Sequence, residues 1–229
     1  MKNSIAQNIL IVTPLQKEYD ELYDSLSALG LNSHTNRIGK LDIQCFPEIN
    51  VTLARGGHGK TQFGIQTQHL LDHAIFDLVI CAGAAGALAP EVSIGDVIIA
   101  TSTLEHDYNN KFSNRPKPQF AGDIKSIEQI KALNLSDAEF KVHFGIIAGG
   151  DEDVIDIERG KELRAFLNAL AVAWEGVGGA RASAFSGIPY LEIRGATDTA
   201  NHEAPVVFYV NLKIVMKNIA FLLYKWLKK

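Results

Sequence analysis

The chain has 229 residues, of which 47% are hydrophobic and 21% are charged. This balance is ordinary for a folded globular protein, and a chain of this length can bury a large core without disulfides. The net charge of -4 argues against nucleic acid as the main partner, because a duplex-binding surface needs an excess of basic residues. Two cysteines form no disulfide framework, so we expect a cytoplasmic protein.

No segment has the pattern of a targeting or membrane-spanning sequence. Met1–Gln7 contains no long apolar run, and Ile9–Pro14 is too short for the core of a signal peptide. The most apolar segment is Val206–Leu227. It is interrupted by four polar residues, Lys213, Lys217, Asn218 and Lys225. We therefore expect an amphipathic helix there and no membrane partner.

Predicted strands and helices alternate along the chain. The patterns predict strands at Ile9–Thr13, Leu41–Phe46, Asn50–Ala54, Asp77–Ala82, Gly95–Thr101, Lys141–Ala148, Ala171–Trp174 and Pro189–Arg194. They predict helices at Gln16–Leu29, Lys60–His73, Ser126–Leu133, Arg159–Leu170, Gly176–Phe185 and Val206–Leu227. This alternation indicates an α/β fold with a largely parallel or mixed sheet. The absence of a linker or a shift in composition predicts one domain spanning residues 1–229.

Three acidic residues follow predicted strands. Glu18 lies just past the first strand, Glu175 follows Trp174, and Asp198 follows the strand Pro189–Arg194. Ligands of open α/β sheets bind beyond the carboxyl ends of the strands, so three carboxylates there suggest acid–base work on a neutral, hydroxyl-rich substrate. Taken alone, an acidic residue just after a strand is more often a helix N-cap or part of a solvated turn than a functional group.

Other ligand-binding motifs are weak. Gly83–Gly86 resembles an anion-binding turn, although a tight strand exit would have the same composition. Neither this segment nor Gly57–Lys60 has the spacing of a Walker loop, so we expect no nucleotide triphosphate. The seven histidines are scattered, and their single pair at helical spacing, His69 and His73, lacks the H-E-x-x-H pattern. We therefore expect no metal and no cofactor.

Six short blocks, taken together and in order, resemble a known family. They are Ile9–Glu18, Gly57–Lys60, Gly83–Val97, Ala148–Asp151, Ala171–Gly176 and Ile193–Ala200. The set is similar to the nucleoside phosphorylase/nucleosidase superfamily, and most of all to its methylthioadenosine/S-adenosylhomocysteine nucleosidase branch. The resemblance covers nearly the whole chain between residues 9 and 200.

The resemblance implies a fold and an activity. The fold would be a three-layer α/β/α arrangement with a mixed central sheet, and the activity would be cleavage of the N-ribosidic bond of a nucleoside. Carried over, Asp198 would protonate the leaving base at N7, Glu175 would bind the ribose 2′- and 3′-hydroxyls, and Glu18 would orient or deprotonate the attacking water. The resemblance also implies a homodimer or a higher homo-oligomer.

The resemblance further implies which residues surround the substrate. Besides Glu175 they are Trp174, Ala84, Ala85, Gly86, His58, Val154, Asp153, Thr197 and Phe208. Three of them, expected around the base and the 5′ group, depart from the usual pattern. Asp153 stands where an aromatic residue is common, His58 where an aliphatic residue is common, and Trp174 where methionine is common. These departures leave the 5′ group of the nucleoside open.

The same comparison favours hydrolysis over phosphorolysis. Phosphorylases of this superfamily hold phosphate with arginines and with a hydroxyl on the Gly-rich segment. Here Thr13–Glu18 contains no arginine, and Ala84 stands at the position that usually carries the hydroxyl. A phosphate dianion without charged donors would not recover its lost hydration. A phosphorylase with an unusual phosphate site and a non-catalytic nucleoside-binding protein remain the alternatives.

Overall fold

A computed structural model describes residues 7–228, in which ten strands alternate with six α-helices. The strands are β1 (Ile9–Thr13), β2 (His34–Ile38), β3 (Leu41–Phe46), β4 (Val51–Arg55), β5 (Leu78–Ala87), β6 (Val97–Glu105), β7 (Gln119–Ala121), β8 (Val142–Gly149), β9 (Ala169–Ala173) and β10 (Tyr190–Asp198). The helices are α1 (Gln16–Ala28), α2 (Lys60–His73), α3 (Ile124–Lys131), α4 (Ile157–Leu167), α5 (Gly176–Ser186) and α6 (Ala204–Leu227). The prediction for Met1–Gln7 falls, except for Gln7, outside the described residues.

All of these strands belong to one mixed sheet. Nine of them follow the order β10-β6-β8-β9-β5-β1-β4-β3-β2, and β7 pairs with β6 at the side. Strands β1, β4, β5 and β10 run parallel to their neighbours within that group. Strand β5 also pairs with β10, so the strands β10, β6, β8, β9 and β5 form a closed barrel within the sheet. The predicted α/β class with a mixed sheet is confirmed.

Helices cover both faces of the sheet and give the predicted three layers. Helices α1 and α6 pack together on one face, and α2 and α5 pack together on the other. Strand β1 contributes side chains to the hydrophobic clusters on both faces of the sheet, because successive side chains of a strand point to opposite faces. Ile9 and Ile11 belong to the hydrophobic cluster under α1 and α6, while Leu10 and Val12 belong to the cluster under α2 and α5.

The last helix belongs to this core. By length and composition alone, Ala204–Leu227 is apolar enough to cross a membrane. In the structure it packs against β10 and α1, and it buries Leu212, Val215, Ile219 and Leu223 along one side. Its opposite side exposes Lys213 and Lys217, as expected for an amphipathic helix, but it also exposes apolar residues, and Asn218 is buried.

The sequence predicts either an anion-binding turn or a tight strand exit at Gly83–Gly86, and both predictions are wrong. The segment is neither a turn nor a strand exit, because β5 continues through it to Ala87. Glycine and alanine have low strand propensity. Pairing on both sides compensates, since Ala84 pairs with Gly195 of β10 and Gly86 pairs with Val172 of β9. Strand β10 likewise runs on to Asp198, which is therefore the last residue of the strand.

Candidate active site

A cavity of about 370 Å³ lies at the carboxyl ends of β1, β5 and β10. This size is in the range of small-molecule sites. All twelve residues predicted for the site line this one cavity: Glu18, His58, Ala84, Ala85, Gly86, Asp153, Val154, Trp174, Glu175, Thr197, Asp198 and Phe208. Arg194, Leu15 and Tyr209 line it too and were not predicted. The site is thus built from segments far apart in sequence that the sheet brings together.

Glu18 is held by two backbone groups at the start of α1. Its Oε2 accepts a hydrogen bond of 2.8 Å from the N–H of Leu15, and its Oε1 accepts one of 2.7 Å from the N–H of Ala84. Burial and the nearby Glu175 raise the pKa of Glu18 to about 7, and the positive charge of Arg194 opposes part of this rise. A carboxyl with such a pKa exchanges a proton readily near neutral pH.

Glu175 lies at the N-terminus of α5 and is buried. Its Oε1 is 3.1 Å from Nδ1 of His58 and accepts a hydrogen bond of 3.3 Å from the N–H of Gly59. Its Oε2 is 3.5 Å from Nη2 of Arg194. These contacts fix the carboxylate at the cavity wall, where it can accept hydrogen bonds from hydroxyl groups of a ligand.

Asp198 lies at the end of β10, and its carboxyl is held by its own loop. Oδ2 accepts a hydrogen bond of 2.8 Å from the hydroxyl of Thr197, and Oδ1 accepts one of 2.9 Å from the N–H of Ala200. Burial raises the pKa of Asp198 above its usual range, although these two hydrogen bonds act in the opposite direction. The raised pKa favours the protonated form that a general acid needs.

Arg194 is the main residue that sequence reasoning missed. Its side chain is 1% exposed, and its Nη1 donates a hydrogen bond of 3.1 Å to the carbonyl of Ala84. Glu18 and Arg194 both lie next to Gly83. A Cβ at Gly83 would be 2.6 Å from Oε1 of Glu18 and 2.8 Å from Nη1 of Arg194, so the two side chains lie beside each other. The sequence did carry a signal: an arginine inside a predicted buried strand needs acidic partners close by.

Aromatic side chains line the remainder of the cavity. The rings of His58 and Trp174 stack with their centroids 4.3 Å apart. Phe208 and Tyr209, from the first turns of α6, meet edge to face with their centroids 5.0 Å apart. Such surfaces bind the flat or apolar parts of a ligand.

The arrangement combines an acid, a base and a hydroxyl-binding group. Asp198 is poised to donate a proton, Glu18 can accept one near neutral pH, and Glu175 presents oxygen atoms that accept hydrogen bonds. Among residues 7–228, no three His, Cys, Asp or Glu side chains form a group that could hold a metal ion. The chemistry that these side chains support is acid–base catalysis on a ligand that carries hydroxyl groups.

Comparison with known proteins agrees with this geometry. The family model described as the phosphorylase superfamily matches residues 8–224. The 5′-methylthioadenosine/S-adenosylhomocysteine nucleosidase of Tolumonas auensis is 31% identical over 188 residues, which cover 79% of this chain and 82% of that protein.

Two solved structures of nucleosidases with bound ligands are also similar. The 5′-methylthioadenosine/S-adenosylhomocysteine nucleosidase of Neisseria meningitidis, in complex with methylthio-immucillin-A, is 25% identical with a TM-score of 0.84, over 96% of this chain and 98% of that one. The corresponding enzyme of S. pneumoniae, with the transition-state inhibitor MT-ImmA, is 26% identical with a TM-score of 0.85 and the same two coverages. The chain therefore belongs to the phosphorylase superfamily, in the branch of the 5′-methylthioadenosine/S-adenosylhomocysteine nucleosidases.

Proposed function

We propose that this chain hydrolyses the N-glycosidic bond of a 5′-modified adenosine and releases the free base and the ribose sugar. The observation that carries the proposal is the convergence of Glu18, Glu175 and Asp198 on one cavity. Between residues 7 and 228, Arg194 is the one buried arginine or lysine, and it lies beside Glu18 and Glu175. Each of the three carboxyl groups has a separate task in the reaction.

Asp198 is the general acid. It gives its proton to N7 of the purine while the bond between N9 and C1′ of the ribose breaks, so that the base leaves as a neutral molecule. Burial supports this task because it raises the pKa of Asp198 and keeps the carboxyl protonated at higher pH than an exposed aspartate. The Thr197 hydroxyl orients the carboxyl by donating to Oδ2.

Glu175 binds the ribose. Its carboxylate accepts hydrogen bonds from the 2′- and 3′-hydroxyls and so fixes the sugar in the cavity. As the base departs, positive charge develops on the ribose ring, and a nearby carboxylate held in advance stabilises it. The N–H of Gly59 and the ring of His58 hold the Oε1 atom of Glu175 in place before the substrate arrives.

Glu18 is the general base that accepts a proton from the attacking water. The water oxygen attacks C1′, and Glu18 takes one of its protons, so that the products are the free base and ribose with a hydroxyl at C1′. One proton leaves Asp198 and one arrives on Glu18, and exchange with solvent restores both groups. A pKa of about 7 lets Glu18 accept a proton and release it again near neutral pH.

The charges at the site support water rather than phosphate as the nucleophile. Arg194 is the buried cation at this wall of the cavity, and it already contacts the carboxylates of Glu175 and Glu192 with Glu18 beside it. A phosphate dianion would meet more negative than positive charge there. The N–H of Ala84, which a phosphate would need as a donor, is already bonded to Glu18.

The test is base release from a panel of nucleosides with and without inorganic phosphate. The panel comprises methylthioadenosine, S-adenosylhomocysteine, adenosine, inosine and guanosine. We expect free base and free sugar without phosphate, with the 5′-modified adenosines cleaved fastest. Turnover that requires phosphate would make the protein a phosphorylase. A nucleoside that raises the melting temperature but is not cleaved would make it a binding protein.

We also propose that the chain acts as a homodimer or a higher homo-oligomer. Large apolar side chains lie exposed on α6, whose first turns border the cavity, at Val206, Val210 and Ile214, and elsewhere on the surface at Phe112 and Phe166. Exposed apolar clusters of this kind are typical of surfaces that another chain covers. Light scattering coupled to size exclusion should give at least twice the monomer mass of 25.0 kDa. A monomer at the concentrations of the activity assay would contradict the proposal.

We further propose that the chain is a single domain in the cytoplasm. One sheet uses strands from Ile9 to Asp198, and the last helix packs on that sheet. Cys45 and Cys81 are both free thiols, as in a reducing compartment. A single cooperative unfolding transition and recovery of the activity in a cytoplasmic fraction are the expected results.

A further inference from the structure

Glu192 is a fully buried carboxylate that the reaction as described does not use. It lies on β10 two residues before Arg194, and its side chain is 0% exposed. Its Oε1 accepts a hydrogen bond of 2.8 Å from Nε of Arg194, and its Oε2 accepts one of 2.5 Å from the hydroxyl of Thr103 on β6. Gly176 leaves the space that this carboxylate fills, since a Cβ there would collide with it.

The ion pair fixes the direction of the arginine. Once Nε is bonded to Glu192, the planar guanidinium can rotate little. Its other two nitrogen atoms then point at the active site, where Nη1 bonds to the carbonyl of Ala84 and Nη2 lies 3.5 Å from Glu175. Glu192 therefore acts on the catalytic carboxylates through Arg194 and has no contact with the cavity itself.

Glu192 also competes with the other carboxyl groups for the positive charge of Arg194. The titratable groups around Arg194 are Glu18 on α1, Glu175 before α5, Glu192 on its own strand and Cys81 on β5. Tyr190 on β10 faces Cys81 and Glu192. Burial raises the pKa values of the Cys81 thiol and the Tyr190 phenol, so both are neutral at physiological pH. The charge balance is therefore set by one cation and three carboxyl groups.

We propose that Glu192 is a positioning residue that holds the Arg194 guanidinium in place and takes up part of its charge, so that Glu18 is not fully ion-paired and can act as a base. This inference rests on the proposed function, because it concerns how well Glu18 accepts a proton from water. Without Glu192, Arg194 would be free to turn toward Glu18 and Glu175. A closer cation favours the ionised form of Glu18 and makes it a weaker base.

The experiment compares Glu192→Gln with a matched control, Thr103→Val. The glutamine removes the charge at nearly constant volume, whereas the valine removes one hydrogen bond to Glu192 and keeps the charge. The readout is the titration of Glu18 in the free protein, followed by ¹³C NMR of glutamate labelled at the carboxyl carbon. The Glu18 signal is identified by its loss in Glu18→Gln. We also measure kcat/KM against pH for the wild type and both variants.

The expected result is a fall of about one pH unit in the Glu18 midpoint of Glu192→Gln. The limb of the kcat/KM profile near pH 7 shifts in the same direction, and Thr103→Val keeps the wild-type midpoint. An unchanged midpoint in Glu192→Gln, with a lower melting temperature alone, would make the pair a purely structural ion bridge.

A second variant covers the case in which Glu192→Gln does not fold. Glu192→Asp keeps the charge but withdraws the carboxylate from Nε of Arg194, so we expect a smaller shift in the same direction. A folded Glu192→Asp protein with the wild-type midpoint would contradict the proposal. Failure of the proposed function is a separate outcome, because it appears as the absence of base release by the wild type while the NMR titration still tests the role of Glu192.

Discussion

The backbone N–H of Ala84 donates a hydrogen bond of 2.7 Å to Oε1 of Glu18, and this bond joins the start of α1 to the middle of the cavity wall in β5. Through its backbone N–H, Ala84 contributes to the site although its side chain has no polar atom. The bond holds the carboxylate of Glu18 in place, and it occupies a donor that an anion would otherwise use.

The Ala84→Ser variant tests whether the missing hydroxyl alone excludes phosphate. We expect it to remain a hydrolase, because Arg194 stays paired with acidic groups and the N–H of residue 84 stays bonded to Glu18. The measurement is the ratio of free ribose to ribose 1-phosphate formed in phosphate buffer, with the wild type as control. Ribose 1-phosphate as the main product of the variant would show that the charge argument is wrong.

Glu18 should make stability depend on pH. Its pKa rises from 4.5 to about 7 on folding, so the folded protein binds this proton more tightly than the unfolded chain does. The free energy of unfolding therefore loses this contribution as the pH rises from 4.5 through about 7. Relative to the wild type, Glu18→Gln should gain stability over this range, by up to about 3 kcal/mol.

Urea unfolding of the two proteins at several pH values measures that gain. The comparison uses the change in the stability difference with pH, since glutamine also alters the hydrogen bonds to Leu15 and Ala84 at every pH. A stability difference that stays constant from about pH 4.5 to about pH 8 would mean that Glu18 has an ordinary pKa in the folded protein.

His58 should influence which 5′ group is preferred. Its ring stacks on Trp174 and contacts Glu175, and it places a polar edge where an aliphatic side chain would suit a thioether better. His58→Leu should raise the ratio of kcat/KM for methylthioadenosine to that for adenosine by about tenfold. His73→Leu, at an exposed position on α2, is the control and should keep the ratio. An unchanged ratio in His58→Leu would place the specificity elsewhere.

Gly86 should be required for the approach of Asp198. A Cβ at this position would lie 2.9 Å from Oδ1 of Asp198 and 3.1 Å from Cβ of Ala200, so the carboxyl would have to move. Gly86→Ala should therefore lower kcat/KM by about tenfold or more, since misplacing an acid weakens proton transfer.

The matched control for Gly86→Ala is a glycine inside helix α4. Gly160→Ala meets nothing closer than 3.5 Å and should leave kcat/KM unchanged while it raises stability by about 1 kcal/mol. Initial rates and thermal melts of both variants suffice. Equal activity of the two variants would mean that the cavity tolerates a side chain beside Asp198.

Local pattern was sufficient to predict the regular core elements. Strand β1 and helix α2 agree in both bounds with the prediction. The strand is a short β-branched run that Pro14 ends, and the helix follows the glycine-rich loop Gly56–Gly59, so turn residues mark where each element begins or ends. The edge strand β2, His34–Ile38, was missed because it is exposed and mostly polar, and only its pairing with β3 makes it a strand.

The family resemblance was sufficient to predict twelve of the residues that line the cavity, but it did not predict which side chains pair with one another. The pairing of Arg194 with Glu175 and Glu192 depends on strand register and on the space left at Gly83 and Gly176. These are tertiary facts, and residue spacing does not contain them. The error at Gly83–Gly86 has the same origin, since pairing with two neighbouring strands overrides the local preference of glycine for turns.

The central claim is that Asp198 protonates a leaving purine and that water completes the reaction. Asp198→Asn keeps the shape of the carboxyl and removes its acidity, so the measurement is phosphate-free release of adenine from methylthioadenosine by the variant and the wild type. If Asp198 is the general acid, kcat of Asp198→Asn falls by ~100-fold or more while the nucleoside still binds. A variant that releases adenine at the wild-type rate would contradict the account.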